Sequence, residues 1–594
     1  MSSEAHESLP GVIPKPAGAR ELSIRAIVAG VLVAAIMGAS YPYVVLKLGF
    51  GPNVSVVAAF LGYLFLGILF RNFTRWENNI VQTAGTSAAQ TAFMCVILAA
   101  FDLLAQVPGT DFNFRPEWYE SFIWLTFASI LGILLAVPLR SHYVVEEKLT
   151  YADGVAAAET IMVLDARGEE AKRAARALFT ATIASALVWL LTTKYGGRWF
   201  GTWGDHAGLL PEEVLTTWFG LTLAAMHAGV AVSLLGVGSG MIVGNRINFS
   251  MAIGAVIAWF IAPRLLVPDI VTEATRGKIL LWIMWPGTGM LIAGGLTALF
   301  LKWRTLARTF STMSTKAVQS GDVPLKFIGV GVALASVGVV IVQYAFFGMP
   351  IWLTLIAIVC SVPLMLVGLR VLGETNWGPI SQLTNMMQAI FAGIMPGNLT
   401  ANLSASGTTG TIAVQSEAIM QDYKAGHIIG STPRYLTYSQ LMAAPIGALA
   451  VAIVYPLLRD QHGIGGDGLA SPISIRIAGF ADVLSKGFDQ LPPYALKFML
   501  IGAGVGVLIT LAETYLPKWR KWVPSATGLG IGMMVPGSVV FAMVIGGILM
   551  SLWARTNKKS ADQLGMPLAS GLIAGEALMA IIMTILIGSG AVAP

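Results

Sequence analysis

A stretch of nineteen residues occurs twice in this chain, and both copies sit in apolar, glycine-rich sequence. GVGSGMIVGNRINFSMAIG, Gly236 to Gly254, returns as GLGIGMMVPGSVVFAMVIG, Gly528 to Gly546, with nine positions identical and no gap. A second shared signature follows each copy, Pro-x4-Leu-Ile-Ala-Gly, from Pro286 to Gly294 and again from Pro567 to Gly575. Two matches in the same order predict a tandem duplication. Any fold for this chain must therefore accommodate two related halves.

Composition says what medium those halves occupy. Of 594 residues 56% are hydrophobic and 11% charged, against roughly 25% charged in a soluble domain. Apolar runs near the roughly 20 residues needed to cross a bilayer recur throughout. The first half has them near 26–46, 53–70, 79–103, 121–139, 177–194, 214–235, 247–267 and 279–302; the second near 327–347, 350–370, 378–395, 402–420, 437–458, 495–513, 529–553 and 567–588. The expected fold is an all-α polytopic membrane protein of about sixteen transmembrane or re-entrant helices in two tandem, parallel-related halves. Its parts are an N-terminal tail (1–25), a first membrane repeat (26–302) with a loop at 141–176, a linker (303–326) and a second repeat (327–594).

Charge supplies orientation. Arg20 and Arg25 precede the first run, Arg71 and Arg75 follow the second, the loop from Arg140 to Arg176 follows the fourth, and Lys302, Arg304, Arg308, Lys316 and Lys326 gather between the halves. The positive-inside rule places all of these, and both termini, in the cytoplasm, and the stretches 104–119 and 195–213 outside. The scheme leaves Arg555, Lys558 and Lys559 outside. A net charge of +6 is then explained by cytoplasmic loops, with no nucleic-acid partner implied. The first 24 residues hold no apolar h-region, so a cleaved signal peptide is not expected and the first helix targets the chain to a cytoplasmic (inner) membrane. Cys95 and Cys360 both lie within apolar runs, which gives neither a disulfide framework nor a metal cluster. The segment Glu169 to Arg176 reads as a surface helix with Glu169 and Arg173 four apart.

Three function classes lose ground on motifs. No Walker A lysine loop occurs, so the chain is not expected to hydrolyse ATP. There is no HExxH, and the few histidines are scattered, which disfavours a membrane-embedded enzyme. The Gly-x-Gly-x-Gly run has no preceding strand, so it is not a dinucleotide loop. Glycines in matching positions of two halves mark either tight helix packing or broken helices lining a transport site; both readings stay open.

The densest polar sequence within the apolar region runs from Gly373 to Arg434. Glu374, Asn376, Gln382, Asn385, Gln388, Asn398, Asn402, Ser404, Ser406, Thr408, Thr409, Thr411 and Gln415 need partners or water if this segment is in hydrocarbon. Pro396 to Asn398 reads as a break between half-helices whose free backbone ends could hold charged termini. The first half echoes this weakly in Asn79, Gln82, Thr83, Thr86, Ser87 and Gln90. A channel filter repeats symmetrically, and this polarity does not, which favours an asymmetric solute site over an ion channel.

GETNWGP, PGNLTANLSASGTTG and SEAIMQDYKAGHIIGSTPR resemble the oligopeptide transporter (OPT) family, close to its yellow-stripe-like branch of metal-chelate carriers. KLTYADGVAAAETI, from Lys148, is similar to that family's cytoplasmic K-L-x-[YF]-P-S-G segment, with Ala152 and Asp153 in place of Pro-Ser. GVGSGMIVGNRIN and ASGLIAGEA resemble its membrane signatures. The resemblance covers nearly the whole chain. It implies a proton-coupled importer of small oligopeptides or peptide-like metal chelates, working by alternating access with no bound cofactor.

A coupled carrier needs a titratable group whose proton affinity depends on the state of the site. Glu77, Glu374, Glu417, Asp422, Glu513 and Glu576 are the acids in or near spans. Glu417 and Glu576 are the expected proton-coupling residues; Glu576 follows the second signature where the first half has Gly295, and pairing with a lysine or arginine is its alternative. Arg246, opposite Ser538 in the other copy, could hold a substrate carboxylate or pair with Glu374 or Glu576. Glu374, Asn376, Trp377, Gln388, Asn398, Asn402, Thr408, Thr409 and Gln415 complete the expected binding set. Asp422, Lys424 and His427 are expected at a cytoplasmic gate, with Asp422 and Lys424 pairing locally. No His or Cys cluster suits a bare metal ion.

Overall fold

The computed structural model describes the chain except residues 1–14, 17, 49–53, 71–72, 108–111, 150, 166–168, 194–208, 212, 215–216, 219–220, 223–228, 267–275, 302–322, 376–377, 466–468, 487–493, 517, 519–521 and 589–594. Most of the expected linker, together with Asn376 and Trp377, lies outside the described residues. What is described is almost wholly helical. The first half holds α1 (Ile24–Leu48), α2 (Val54–Leu69), α3 (Arg75–Phe93), α4 (Cys95–Leu104), α5 (Trp118–Ala136), α6 (Ala152–Asp165), α7 (Glu169–Thr192), α8 (Leu234–Val243), α9 (Asn245–Val256), α10 (Ala262–Leu266) and α11 (Arg276–Leu301). The second holds α12 (Leu325–Ala345), α13 (Ile351–Thr375), α14 (Ile380–Ile394), α15 (Leu399–Ile429), α16 (Pro433–His462), α17 (Pro472–Lys486), α18 (Ala495–Tyr515), α19 (Ala526–Met534), α20 (Gly537–Thr556) and α21 (Lys558–Gly588).

Among the described residues ten helical segments are long and apolar enough to cross a membrane. Several other runs read as spans from the sequence form helices that are short or polar. The helices α2 and α14 have 16 and 15 residues, and α15, at 31 residues, carries too many polar groups to register as apolar. The expected helix near 214–235 is not formed where the structure describes it. Two antiparallel pairs of two-residue strands lie there instead, Glu213–Val214 with Val230–Ala231 and Thr217–Trp218 with Leu221–Thr222. Ser233 then caps α8 by accepting from the Gly236 N–H at 3.2 Å, which starts the helix only at Leu234.

The helices sort into two bodies that cut across the sequence halves. One packs α1–α6 with α12–α17; the other packs α7–α11 with α18–α21. The first body thus takes the opening helices of each sequence half and the second the closing ones. Contact between them runs mainly through α21 against α1, α2 and α16, with smaller contributions from α7 against α6 and α2 and from α11 against α14 and α17.

The two copies of the repeated stretch meet inside the second body. Each is broken, the first at Gly244 with φ of +89° between α8 and α9, the second at Val535 and Pro536 between α19 and α20. Each starts on a serine cap, Ser525 accepting from Gly528 N at 3.2 Å as Ser233 does from Gly236. Gly240 seats on the backbone of Met543 while Gly532 seats on that of Met251, and Gly254 seats on Leu529 while Gly546 seats on Val237. In the alignment of the two copies these contacts are the same contact made in both directions, the signature of a two-fold arrangement. A Cβ at any of these glycines would overlap the facing backbone, so only glycine permits the approach.

Candidate functional site

The helix α15 is the axis of the first body. Asn398 starts it, its Oδ1 accepting from the Ala401 N–H at 2.9 Å, and Gly430 ends it at φ of +84°, as helix C-termini favour. Nearly every residue between is buried, polar ones included, so each polar group must find a partner on a neighbouring helix. Thr408 Oγ1 accepts from Trp124 Nε1 of α5 at 3.0 Å and from Gln343 Nε2 of α12 at 2.7 Å. Thr409 meets Ser361 of α13 at 2.8 Å. Gln415 Nε2 donates to Thr91 Oγ1 at 2.6 Å and to the Ser87 carbonyl at 3.0 Å, both on α3. Asn402 Nδ2 donates to the Gln388 carbonyl of α14 at 2.8 Å. Thr408, Thr409 and Gln415 are therefore brought together on one helix, each committed to another.

Asp422 is fully buried and accepts on both oxygens, from Gln82 of α3 and from Gln440 of α16, each at 2.6 Å. The local Asp422–Lys424 pair expected from the sequence is not formed, because Lys424 follows two residues later and so points from another face of the helix. Lys424 is buried near the end of α15, where Gly154 of α6 packs on its Cβ. His427 is half-buried in the last turn. Beyond them the N-terminal segment covers this end of the helix: Glu21 accepts from the Thr432 N–H at 2.8 Å and pairs with Lys15, and Trp76 Nε1 donates to the Ile429 carbonyl at 3.2 Å. Glu77 beside it pairs with Arg25 at 2.7 Å.

Glu417 differs from its neighbours. Its side chain lies against Gly368 and Gly378, where a Cβ at Gly378 would overlap the carboxylate, and Oε1 has no hydrogen-bond partner. No cation pairs with it among the described residues. Keeping a buried charge in that condition is costly. Glu374 belongs to α13, close by in sequence, but its side chain, like Asn376 and Trp377, is outside the described residues.

Glu576 has the opposite setting. Lys47 Nζ of α1 reaches its Oε1 at 2.6 Å, Ser233 Oγ donates at 2.8 Å, and the Leu235 N–H donates at 3.0 Å. The carboxylate thus sits on the N-terminus of α8, where a negative charge is favoured, and ties the second body to α1 of the first. Of the alternatives left by the sequence, the structure contains the pair with a lysine. Arg246 does not reach Glu576, and the Glu374 side chain lies outside the described residues. It begins α9, where Nη2 pairs with Glu513 at 2.5 Å and Nε donates to the Val523 carbonyl at 3.1 Å, with about a third of its side chain exposed. Its place in the repeat is a helix end, and Glu513, two residues before the end of α18, is its neighbour there. Pro396–Asn398 does separate two helices, but the turn is exposed at the end of the bundle, and the Asn398 side chain is spent on its cap.

Sequence reasoning did not anticipate Lys47, Gln343, Gln440 or Arg476. All are single polar residues in largely apolar runs, which is the signal that would have found them. Several buried oxygens of this region have no partner among the described residues: Gln82 Oε1, Asn385 Oδ1, Gln388 Oε1, Asn402 Oδ1 and Gln440 Oε1. A packed scaffold ordinarily satisfies such atoms, and these oxygens are free to accept a further donor.

Residues 21–587 match the family model described as OPT oligopeptide transporter protein. The metal-nicotianamine transporter YSL2 of Arabidopsis thaliana is 24% identical over 95% of this chain and 93% of its own length. The probable metal-nicotianamine transporters YSL8 and YSL18 of Oryza sativa subsp. japonica are 25% and 26% identical, each over 96% of this chain and over 91% and 92% of their own lengths. These are transporters rather than enzymes, and their match spans both bodies and the whole of α15. The chain belongs to the OPT oligopeptide transporter family.

Proposed function

We propose that this protein is a secondary active transporter that imports small oligopeptides or peptide-like metal chelates together with protons, by alternating access, across a cytoplasmic membrane with both termini inside. The observation that carries the reading is Glu417: a buried carboxylate without a cation among the described residues, on a helix most of whose other polar side chains are hydrogen-bonded to neighbouring helices. A group of that kind can exchange a proton when the site around it changes access or occupancy. The substrate set is Glu374, Asn376, Trp377, Gln388, Asn398, Asn402, Thr408, Thr409 and Gln415, with Arg246 at the edge. Asp422, Lys424 and His427 form the cytoplasmic gate beneath the N-terminal segment. Glu576, held by Lys47 across the two bodies, joins Glu417 in coupling by transmitting their relative motion. The two halves are tandem, parallel repeats whose glycine stretches form the fixed centre of the second body.

Chelate cargo is favoured by the relatives, which are named for metal-nicotianamine. Among the described residues no three His, Cys, Asp or Glu side chains gather as a metal site, which supports recognition of cargo through its organic part. Proteoliposomes containing the purified protein and given an inward acid gradient should accumulate nickel–nicotianamine or tetraalanine. Glu417→Gln should abolish gradient-driven accumulation with the melting temperature unchanged or raised, since an unpaired buried charge is removed. Accumulation by Glu417→Gln equal to that of the unaltered protein would remove the coupling assignment, and substrate-independent conductance would point to a channel.

A further inference from the structure

The helix α17 carries a second unpaired charge, of the opposite sign. Arg476 is 3% exposed, and neither Nε nor Nη2 has a hydrogen-bond partner. No acidic side chain pairs with it among the described residues. Guanidinium groups buried in protein are ordinarily matched by carboxylates, and removing one partner of such a match is strongly destabilising. A protein that keeps the cation without the anion has left a place for an anion.

The surroundings say which kind. The carbonyl of the next residue, Ile477, accepts from Gln388 Nε2 of α14 at 3.0 Å, and the Gln388 carbonyl accepts from Asn402 Nδ2 of α15 at 2.8 Å. On α14, Asn385 and Gln388 are three apart and share a face. Asn385, Gln388 and Asn402 each keep an amide oxygen unpartnered. Orphan donors on a guanidinium and orphan acceptors on three amides complement a carboxylate whose neighbouring atoms bear N–H groups. The same helices border the second body: Gln382 of α14 rests on Gly295 of α11, and Gly479 of α17 on Met284 of α11. The cluster therefore lies along the seam where two bodies moving against one another would open it.

We infer that Arg476 is the carboxylate-binding residue of the substrate site, with the amide oxygens of Asn385, Gln388 and Asn402 taking N–H groups of the same aminocarboxylate or peptide end. This rests on reading α14 and α15 as the substrate site. Glu417 then lies toward the start of α14 and Arg476 toward its second half, so the site offers an unpaired charge of each sign to a zwitterion. Arginine suits the task through its planar fork, which grips a carboxylate with two parallel hydrogen bonds.

Thermal shift on the detergent-solubilised protein, with tetraalanine and tetraalanine amide as probes, tests the assignment without requiring transport. The free acid should stabilise the unaltered protein at a concentration at least tenfold below that needed by the amide. Arg476→Met should erase that preference and Arg476→Lys should restore part of it. Arg476→Met should also melt at the same temperature or higher, because it removes a buried unpaired cation; a structural arginine would lower it. Equal response to acid and amide, no response to either, or an acid preference that survives in Arg476→Met overturns the assignment. If the acid binds with the expected preference but proteoliposomes do not accumulate it, transport of this cargo fails while Arg476 stands.

Discussion

Where α8 and α9 meet α19 and α20, glycines bring backbone onto backbone, and few polar side chains intervene, Ser239 and Asn248 being those with an unpartnered oxygen. Around α15 the helices are held apart by long polar side chains, and Gln82, Asn385, Gln388, Asn402 and Glu417 each keep an oxygen without a partner. The first arrangement maximises dispersion contact, which is what remains to join helices when lipid is the solvent. The second forgoes it and retains polar atoms that a simple scaffold would have replaced by leucine. Close packing is bistable rather than deformable, so the glycine-locked region is suited to move as a block, and the polar region to change its partners. The difference separates frame from site more clearly than the two sequence halves do.

The largest break in that contrast comes from the locked region. Gly240→Val would drive a branched side chain into the Met543 backbone and is expected to abolish a monodisperse folded species in fluorescence-detected size-exclusion chromatography; near-native yield and melting would show that the interlock is loose. Next is the bridge between bodies. Lys47→Met leaves the Glu576 carboxylate buried without its cation and should cost about 3–5 kcal/mol, whereas Lys47→Met with Glu576→Leu should recover most of the loss; a double variant as unstable as the single one would show that the pair itself is not what is being lost. The smallest effect is expected at Arg246→Ala, which removes a partly exposed pair with Glu513 worth at most about 1 kcal/mol. A severe defect in uptake by that variant would move Arg246 from the edge of the site to its centre.

Much of this contrast was legible before any coordinates. The repeated stretch and the polar segment are both visible as text, since glycine frames and hydrophilic residues in apolar runs are local properties of sequence. Partners are not local. Glu576 stood out as an acid following a shared signature, yet Lys47 is 529 residues away, and nothing in either neighbourhood names the other. Arg246 looked like an intramembrane cation because the run around it is apolar; the break at Gly244 turns that position into a helix end. The helix expected near 214–235 failed for a related reason, because apolar content alone does not distinguish a span from an irregular stretch ahead of a serine cap. Arg476 lies on α17, which is too short to read as a span, so its charge does not read from the sequence as an intramembrane one.

One consequence of the polar axis concerns time. Gln82 and Asp422 form a buried hydrogen bond across 340 residues, and a chain made at about 5–20 residues per second takes roughly 20–70 s to travel from one to the other. Throughout that interval α3 already exists, with Gln82 destined for burial, while the helix that carries its partner Asp422 has not been synthesised. During its own biogenesis this protein must therefore shelter a polar helix in or beside the bilayer for most of a minute, and the insertion machinery, rather than the finished fold, has to bear that interval.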